Sequence, residues 1–272
     1  MNHIIKNFNF KSELRDGELC VFFNGDIDHH VLTSVKNQID ENICSAHPRK
    51  LVLDLFDVNF ADSSVLGFVM GRYALMRRLG GEICIAEPND RLIKIFNLAG
   101  LDRIVKIEKS EKACKHSTPS RKTGRIAGAK PSENVISELK IKLPSLSVNE
   151  GVARDLCATF CSQLDVTEEG IADIKCVVSE AVTNCVVHAY RDGTGKIDIM
   201  VRLYDNGIVR IDVRDCGCGI ENVALAREPL YTTDPANEKS GMGFTVMEYF
   251  SDKLKVTSKP NKGTSVSIYK WI

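Results

Sequence analysis

Three polar side chains at helical spacing are the clearest sign of chemistry in this sequence. They are Glu180, Asn184 and His188, which lie one and two turns apart on one side of a predicted helix. A carboxylate accepts a proton and an amide oxygen binds a hard metal ion, so the three side chains can converge on one ligand. Glu169 and Asp173 lie on the same stripe, and a solvated helix face has the same pattern. Both interpretations stay open on the helix alone.

Two glycine pairs follow the helix, each at a predicted strand or helix end. The segment DCGCGI, residues 215–220, follows an alternating strand. Its glycines let the backbone approach a flat ligand, and the carboxylate of Asp215 can accept a hydrogen bond from that ligand. The segment SGMG, residues 240–243, opens a helix, where free N–H groups and the positive end of the helix dipole favour a phosphate. Turns also use glycine, but the helix and the two pairs in this order together favour a nucleotide site.

In this order the segments resemble the ATP-binding domain shared by histidine kinases, gyrase-type ATPases and bacterial anti-sigma serine kinases. The matching motifs are VSEAVTNCVVHAY (178–190), DCGCGI, SGMGF (240–244) and KGT (262–264). The resemblance is closest to the anti-sigma kinase that governs sporulation, and it covers nearly all of residues 140–270. The sequence has neither a Walker lysine motif nor an H-R-D loop, which argues against an ordinary P-loop or eukaryotic-type kinase.

The resemblance implies ATP and Mg²⁺ as cofactors and a role for each matching residue. Asn184 resembles the Mg²⁺ ligand, and Glu180 resembles the group that accepts the proton of the attacking hydroxyl. Asp215 resembles the residue that binds adenine, with Thr264 nearby, and residues 221–239 resemble a mobile lid. The other positions implied to contact the nucleotide are His188, Gly217, Gly219, Ser240, Gly241, Met242 and Gly243.

A second candidate site lies in the first half of the chain. Asp62 and Ser63 fall at a predicted helix start in FADSSVLGFVMGRYALMRRLGG, where such residues are ordinary N-caps. This stretch and NGDIDHH (24–30) resemble the anti-sigma antagonist (STAS) domain of regulators and sulfate transporter tails. That resemblance implies that Ser63 is the regulatory phosphoacceptor. Val65 replaces the small glycine usual after the two serines, and a larger side chain there crowds the site.

The elements that must position these residues form two different patterns. Residues 1–109 alternate predicted strands and helices, which indicates an α/β sheet with helices packed on it. Gly80 and Gly100 end helices where a left-handed cap is expected. The predicted strands are 19–23, 51–56, 83–86 and 104–107, and the predicted helices are 31–43, 65–79 and 92–98.

Residues 135–272 predict an α+β domain, because their helices are segregated from a largely antiparallel sheet. A hairpin turn is predicted at Asp205-Asn206-Gly207. The predicted strands are 138–143, 196–204, 208–215, 253–258 and 264–269, and the predicted helices are 148–164, 168–190 and 243–250.

Residues 110–134 separate the two patterns and predict a basic, flexible linker. Six basic and two acidic residues lie in this segment, which contains only one large aliphatic residue. As a flexible coil of 25 residues it has a root-mean-square span of about 25–30 Å, so the flanking domains can touch. A solvated spacer and a contact with RNA or lipid both stay open for it.

Composition limits the remaining function classes. The 272 residues fit one large domain or two ordinary ones. With 36 basic and 36 acidic residues there is no global field, so we expect no direct partner among nucleic acids or membranes. The longest apolar stretch, residues 65–70, is far shorter than the roughly 20 residues of a membrane span. The N-terminus lacks a signal-peptide pattern, and the ten cysteines lack paired C-x-x-C spacings, so we expect a cytoplasmic protein with reduced thiols.

Together the two resemblances predict a kinase fused to its own substrate. We expect an ATP-dependent serine kinase of residues 135–272 that acts as a partner switch on a sigma factor or related regulator and contacts its own antagonist domain. Arg154 aligns with a partner-contacting arginine, and a homodimer is common in the kinase family. The alternative is a non-catalytic ATP-binding module that the antagonist domain autoinhibits. The catalytic part of a histidine kinase is disfavoured, because no phosphoacceptor histidine is evident on a dimerisation hairpin before residue 140.

Overall fold

The computed structural model describes residues 8–109, 130–132, 134–190, 193–231 and 240–272. The chain forms two compact units, the first including residues 8–109 and the second including residues 134–231 and 241–272. In the described residues no helix is both long enough and apolar enough to cross a membrane.

The first unit is a five-stranded sheet with helices, and it confirms the predicted α/β class. The strands lie in sequence order, with the first pair antiparallel and the other pairs parallel. A 3₁₀ turn over Leu101–Arg103 precedes the last strand. The elements are β1 (Phe8–Arg15), β2 (Glu18–Ile27), α1 (His29–Ala46), β3 (Lys50–Ala61), α2 (Ser64–Arg78), β4 (Glu82–Ala86), α3 (Asp90–Leu98) and β5 (Lys106–Glu108).

Local signals explain most of these boundaries. Asp28 caps α1, because its carboxylate accepts a hydrogen bond from Val31 N at 3.0 Å. Gly80 and Gly100 have φ angles of +75° and +66°, so both supply the left-handed residue predicted after a helix. The sequence-based prediction did not include β1, which pairs with β2 along its whole length.

The second unit is a five-stranded antiparallel sheet with helices, and it confirms the predicted α+β class. The strand order is β6-β7-β8-β10-β9. The predicted hairpin turn joins β7 to β8, with Gly207 at φ +74°. The elements are β6 (Val135–Pro144), α4 (Asn149–Cys161), α5 (Glu168–Asn184), β7 (Lys196–Tyr204), β8 (Ile208–Asp215), α6 (Val223–Ala226), α7 (Gly243–Phe250), β9 (Lys253–Ser258) and β10 (Thr264–Trp271).

Helix α5 lies at the centre of the second unit, where it packs against α4 and α7. Its N-terminus is capped by Thr167, whose hydroxyl accepts a hydrogen bond from Gly170 N at 3.1 Å. The sequence predicts one α-helix over residues 168–190, but the α-helix ends at Asn184. A π-helical turn over Cys185–Ala189 follows, and such turns are frequent at functional sites.

Two predicted segments lie largely or partly outside the described residues. Of the predicted linker, 110–129 and 133 are outside, as are 232–239 of the predicted lid. The described end of the linker is bound to the β7–β8 turn: Asn134 Nδ2 donates to Asp205 Oδ2 at 3.0 Å, and Asn206 Nδ2 donates to Lys130 O at 3.0 Å. The described part of the lid contains α6, which the sequence-based prediction did not include.

Candidate functional site

The side chains of Glu180 and Asn184 meet at the first residue of α7. A Cβ placed on Gly243 would lie 3.1 Å from Glu180 Oε2 and 3.5 Å from Asn184 Oδ1. A carboxylate and an amide from α5 therefore face the N-terminus of a neighbouring helix at close range, where glycine leaves the most room. This is the convergence that the i, i+4 spacing predicts.

The N-terminus of α7 offers main-chain N–H groups to a ligand. Its N-cap is Met242, a fully buried residue whose side chain makes no capping hydrogen bond. The first hydrogen bond of the helix runs from Val246 N to Met242 O at 2.8 Å, so the N–H groups of the preceding turn have no intrahelical acceptor. Such N–H groups, together with the helix dipole, favour an anion.

The polar stripe on α5 is not a solvated face. Glu180 is 4% exposed, and Asp173 is buried with its carboxylate 2.6 Å from Lys270 Nζ. Buried carboxylates are rare unless they have partners or a function. The solvated interpretation of the stripe therefore fails for both residues.

Asp215 is held by main-chain donors at the end of β8. Its Oδ1 accepts hydrogen bonds from Gly217 N at 2.9 Å and Thr264 N at 3.2 Å. Its Oδ2 lies 3.8 Å from the Sγ atom of Cys185, in the π turn. Burial raises the pKa of the Asp215 carboxyl above its usual value, and the two N–H donors act against that rise. Thr264, which the resemblance places near Asp215, contacts it directly.

Three glycines of the two boxes lie against the protein's own main chain. A Cβ on Gly217 would overlap the carbonyl oxygen of Ala189, and one on Gly219 would overlap that of Lys259. Gly241 has φ +64°, and a Cβ there would lie 2.5 Å from the carbonyl carbon of Leu230. Segments of the protein's own backbone therefore approach one another at Gly217, Gly219 and Gly241, and the predicted approach of a ligand at these glycines stays a prediction.

His188 does not continue the α-helical stripe of Glu180 and Asn184. It lies in the π turn, where the rotation per residue differs from that of an α-helix, so the i+8 relation no longer defines its direction. Its carbonyl oxygen is 3.1 Å from Cys218 Sγ, which links the turn to the first glycine box. Ser240 directly precedes the first glycine of the second box, and its predicted contact with the nucleotide stays a prediction.

The donor set at Asn184 fits a magnesium ion. Among the described residues, no cluster of three or more His, Cys, Asp or Glu side chains forms a metal site. Mg²⁺ needs no such cluster, because it keeps several waters and takes one or two protein oxygens plus phosphate oxygens. Asn184 Nδ2 is buried without a hydrogen-bond partner in the described part of the chain, so the amide is not committed to the fold. Its Oδ1 is the oxygen that would hold the ion.

Three residues outside the predicted site hold it together. Ser258 links the two glycine-containing loops: its hydroxyl accepts from Ile220 N at 2.8 Å and lies 2.9 Å from both Gly263 O and Thr264 Oγ1. The thiol of Cys185 faces the carboxylate of Asp215. The hydroxyl of Tyr190 accepts a hydrogen bond from Cys216 N, in the first glycine box. A serine, a cysteine and a tyrosine of this kind carry no spacing signal that sequence analysis could use.

The second candidate site, at the start of α2, is buried. Ser63 is the N-cap residue but is 5% exposed, and its side chain makes no capping hydrogen bond. The side chain of Asp62 makes the capping hydrogen bond instead: its Oδ1 accepts from Ser64 N at 3.0 Å and also from the Ser64 hydroxyl. Val65 is buried in the first turn of α2. The Ser63 side chain therefore does not act as the ordinary N-cap that its sequence position suggests.

Arg154 is not a surface residue, which the sequence analysis did not anticipate. It is 3% exposed, with Nε 3.7 Å from Asp155 Oδ1, and Glu150 one turn earlier is buried as well. The exposed positions of this part of α4 are Val152, Asp155 and Leu156. The side chain turns inward because it lies on the helix face that packs against the rest of the unit.

Comparison with known proteins assigns a domain family to each half of the chain. The STAS domain matches residues 9–114, and the histidine kinase-like ATPase domain matches residues 143–270. Among solved structures, the anti-sigma factor antagonist SpoIIAA in its unphosphorylated form is 23% identical with a TM-score of 0.35, covering 39% of this chain and 92% of that one. The two family models confirm both resemblances drawn from the motifs.

Curated relatives match the half that holds the nucleotide site. An anti-sigma F factor of Caldanaerobacter subterraneus subsp. tengcongensis is 52% identical over 134 residues, which are 49% of this chain and 93% of the relative. An anti-sigma F factor of Priestia megaterium is 44% identical over 135 residues, 49% of this chain and 92% of the relative. Since almost the whole of each relative is matched at such identity, the chain belongs to the anti-sigma F factor family and combines that family's histidine kinase-like ATPase domain with a STAS domain.

Proposed function

We propose that this chain is an ATP-dependent serine kinase that carries its own substrate and switches between partners. Residues 135–272 would form the kinase, residues 1–109 the antagonist domain, and residues 110–134 the linker. By analogy with the relatives' name, the external partner is a sigma factor or related regulator. A homodimer of the kinase domain belongs to the same proposal.

The observation that carries this proposal is the convergence of Glu180 and Asn184 on the N-terminus of α7. Phosphoryl transfer needs a positioned carboxylate, an oxygen that holds a metal ion and N–H groups for the phosphates. All three lie around Gly243. Asp215, which two main-chain donors fix, would accept a hydrogen bond from the amino group of adenine.

The proposed reaction transfers the terminal phosphoryl group of ATP to a serine hydroxyl. A bond forms between Ser63 Oγ and the γ-phosphorus, the bond from that phosphorus to the bridging oxygen breaks, and ADP leaves. Glu180 accepts the hydroxyl proton, and α7 donates N–H groups to the phosphates. Mg²⁺, held at Asn184, would neutralise phosphate charge and fix its orientation.

The environment of Ser63 sets a condition on this reaction. Ser63 is 5% exposed, so it must be uncovered before its hydroxyl can attack, and Val65 beside it in the chain is buried as well. Once transferred, the phosphate adds a charge of about −1.5 to −2 at a helix N-terminus, where N–H groups stabilise it.

Mass spectrometry of the full chain after incubation with Mg·ATP tests the proposal directly. We expect one phosphate on Ser63, and none on the variant Ser63→Ala. Ser64→Ala is the matched control, since Ser64 is adjacent but bonded to Asp62, and it should still incorporate phosphate. Phosphate that persists undiminished in Ser63→Ala would contradict the assignment of Ser63 as the phosphoacceptor. A wild-type chain that binds ATP but remains unmodified would contradict the kinase assignment.

A second candidate function is favoured by the burial of Ser63. A non-catalytic ATP-binding module, autoinhibited by its antagonist domain, uses the same nucleotide site and needs no access to the serine. It predicts nucleotide binding without phosphate on Ser63. Under either function, Arg154 is the proposed partner contact, and its burial implies that the partner meets the exposed residues around it first.

A further inference from the structure

Besides the contact between Cys218 Sγ and His188 O, two main-chain N–H groups of the first glycine box donate hydrogen bonds to the segment that follows α5. Ala189 O accepts a hydrogen bond from Cys218 N at 2.8 Å. The hydroxyl of Tyr190 accepts one from Cys216 N at 2.9 Å. The two main-chain donors flank Gly217, and that glycine lies so close to Ala189 that no Cβ would fit.

Tyr190 is itself fixed from two sides. Its hydroxyl donates to Lys196 O at 2.7 Å, at the start of β7. Its ring lies against Gly195, where a Cβ would overlap the ring atoms. Gly195 in turn is bonded to Ser145, with Gly195 N 2.8 Å from Ser145 Oγ. Burial raises the pKa of the Tyr190 phenol. The hydroxyl donates to Lys196 O and accepts from Cys216 N at once.

The box that Tyr190 holds is the one that orients Asp215. Cys216 follows Asp215 directly, and Gly217 N donates to Asp215 Oδ1 at 2.9 Å. Without the Tyr190 hydroxyl, Cys216 N loses this acceptor, so the peptide between Asp215 and Cys216 is held less tightly on the side that faces Tyr190.

We propose that Tyr190 is a positioning residue of the nucleotide site, whose hydroxyl fixes the main chain at Cys216 so that the Asp215 carboxylate faces the base. This proposal rests on the nucleotide site of the proposed function. In this proposal, the phenol oxygen of Tyr190 links the helix that carries Glu180 and Asn184 to the loop that carries Asp215.

The test uses the full chain and the variant Tyr190→Phe, which removes only the hydroxyl. Tyr249→Phe is the matched control, because Tyr249 lies half exposed in the same unit and packs its ring on Phe250. ADP affinity is measured by calorimetry at 15 °C. Tyr190→Phe removes both hydrogen bonds of the hydroxyl, and loss of the one from Cys216 N should weaken ADP binding about five- to tenfold, with no change for the control.

A readout without nucleotide separates failure of this proposal from failure of the proposed function. Amide hydrogen exchange of the ligand-free chain should become faster at Cys216 in Tyr190→Phe, while Cys218 N, bonded to Ala189, keeps its protection. If Tyr190→Phe melts at a lower temperature but binds ADP like the wild type, the hydroxyl is merely structural and the proposal is overturned. Unchanged exchange at Cys216 overturns it as well. If the wild type does not bind ADP at all, the proposed function fails, and the exchange at Cys216 still decides what Tyr190 holds.

Discussion

Replacing Asp215 by Asn should separate recognition of adenine from folding of the site. Both N–H groups that reach Asp215, those of Gly217 and Thr264, bond to Oδ1. The amide oxygen of Asn can accept the same two hydrogen bonds, so the loop should keep its shape. What changes is the second atom, because an NH₂ donor replaces the Oδ2 acceptor.

The expected loss of ADP affinity follows from this single change. A hydrogen bond to a charged group contributes about 1.5–3 kcal/mol, and an amide N–H facing the amino group of adenine cannot replace it. ADP should therefore bind about 10- to 100-fold more weakly to Asp215→Asn. IDP carries a carbonyl oxygen at that position, so its affinity for Asp215→Asn should be close to or higher than its affinity for the wild type. The ratio of the two affinities should therefore shift toward IDP.

The same substitution should not destabilise the ligand-free protein at pH 7. Burial raises the pKa of Asp215 above its usual 3.8, so the folded protein retains this proton at pH values where the unfolded chain has lost it. Stability therefore decreases as the pH rises from about 3.8 through the raised pKa, and the loss is complete above it. Asn carries no such proton, so the variant should be at least as stable as the wild type at pH 7.

Calorimetry with ADP and IDP and thermal unfolding between pH 4 and 7 measure all three quantities. Wild-type ADP affinity together with an unchanged ADP/IDP ratio would show that Asp215 does not bind the base. Equal losses for both nucleotides, with a lower melting temperature, would show that the substitution disturbs the loop rather than one contact.

Two further predictions concern α5. Glu180→Gln should keep ATP affinity and lower the single-turnover rate of transfer by about 10²- to 10⁴-fold, because it removes the proton acceptor but keeps the shape of the side chain. Glu169→Gln is the control, because Glu169 is exposed on the same helix. An unimpaired transfer rate in Glu180→Gln would remove Glu180 from the mechanism. Asn184→Ala should weaken nucleotide binding in Mg²⁺ but much less in EDTA, and it should leave unfolding almost unchanged because Asn184 Nδ2 has no partner in the described residues. An identical effect with and without Mg²⁺ would exclude Asn184 as the ligand.

The sequence predicts both fold classes well because each half follows a regular alternation of elements. Helices begin and end at the predicted caps in several places, and α7 has the predicted bounds, 243–250. Strand β1 was missed because its inward-facing Phe8 and Phe10 alternate with polar residues in a segment otherwise rich in charge, and its stability comes from pairing with β2 rather than from its own composition.

The site was predicted less completely, for reasons of geometry. Spacing gives the face of an α-helix, so it identifies Glu180 and Asn184, but it cannot foresee that the helix changes to a π turn before His188. It also cannot foresee which atoms a glycine accommodates. At Gly217 and Gly219 those atoms belong to the protein's backbone, a long-range contact that no local pattern records.

The choice between a kinase and a binding module depends on the STAS domain more than on the nucleotide site. Glu180, Asn184 and Asp215 are arranged in the same way under either function, so nucleotide affinity alone cannot separate the two. Ser63 differs, because transfer requires its hydroxyl to leave a buried position beside Val65, whereas binding requires nothing of it. Phosphate on Ser63 is therefore the observation on which the two functions diverge.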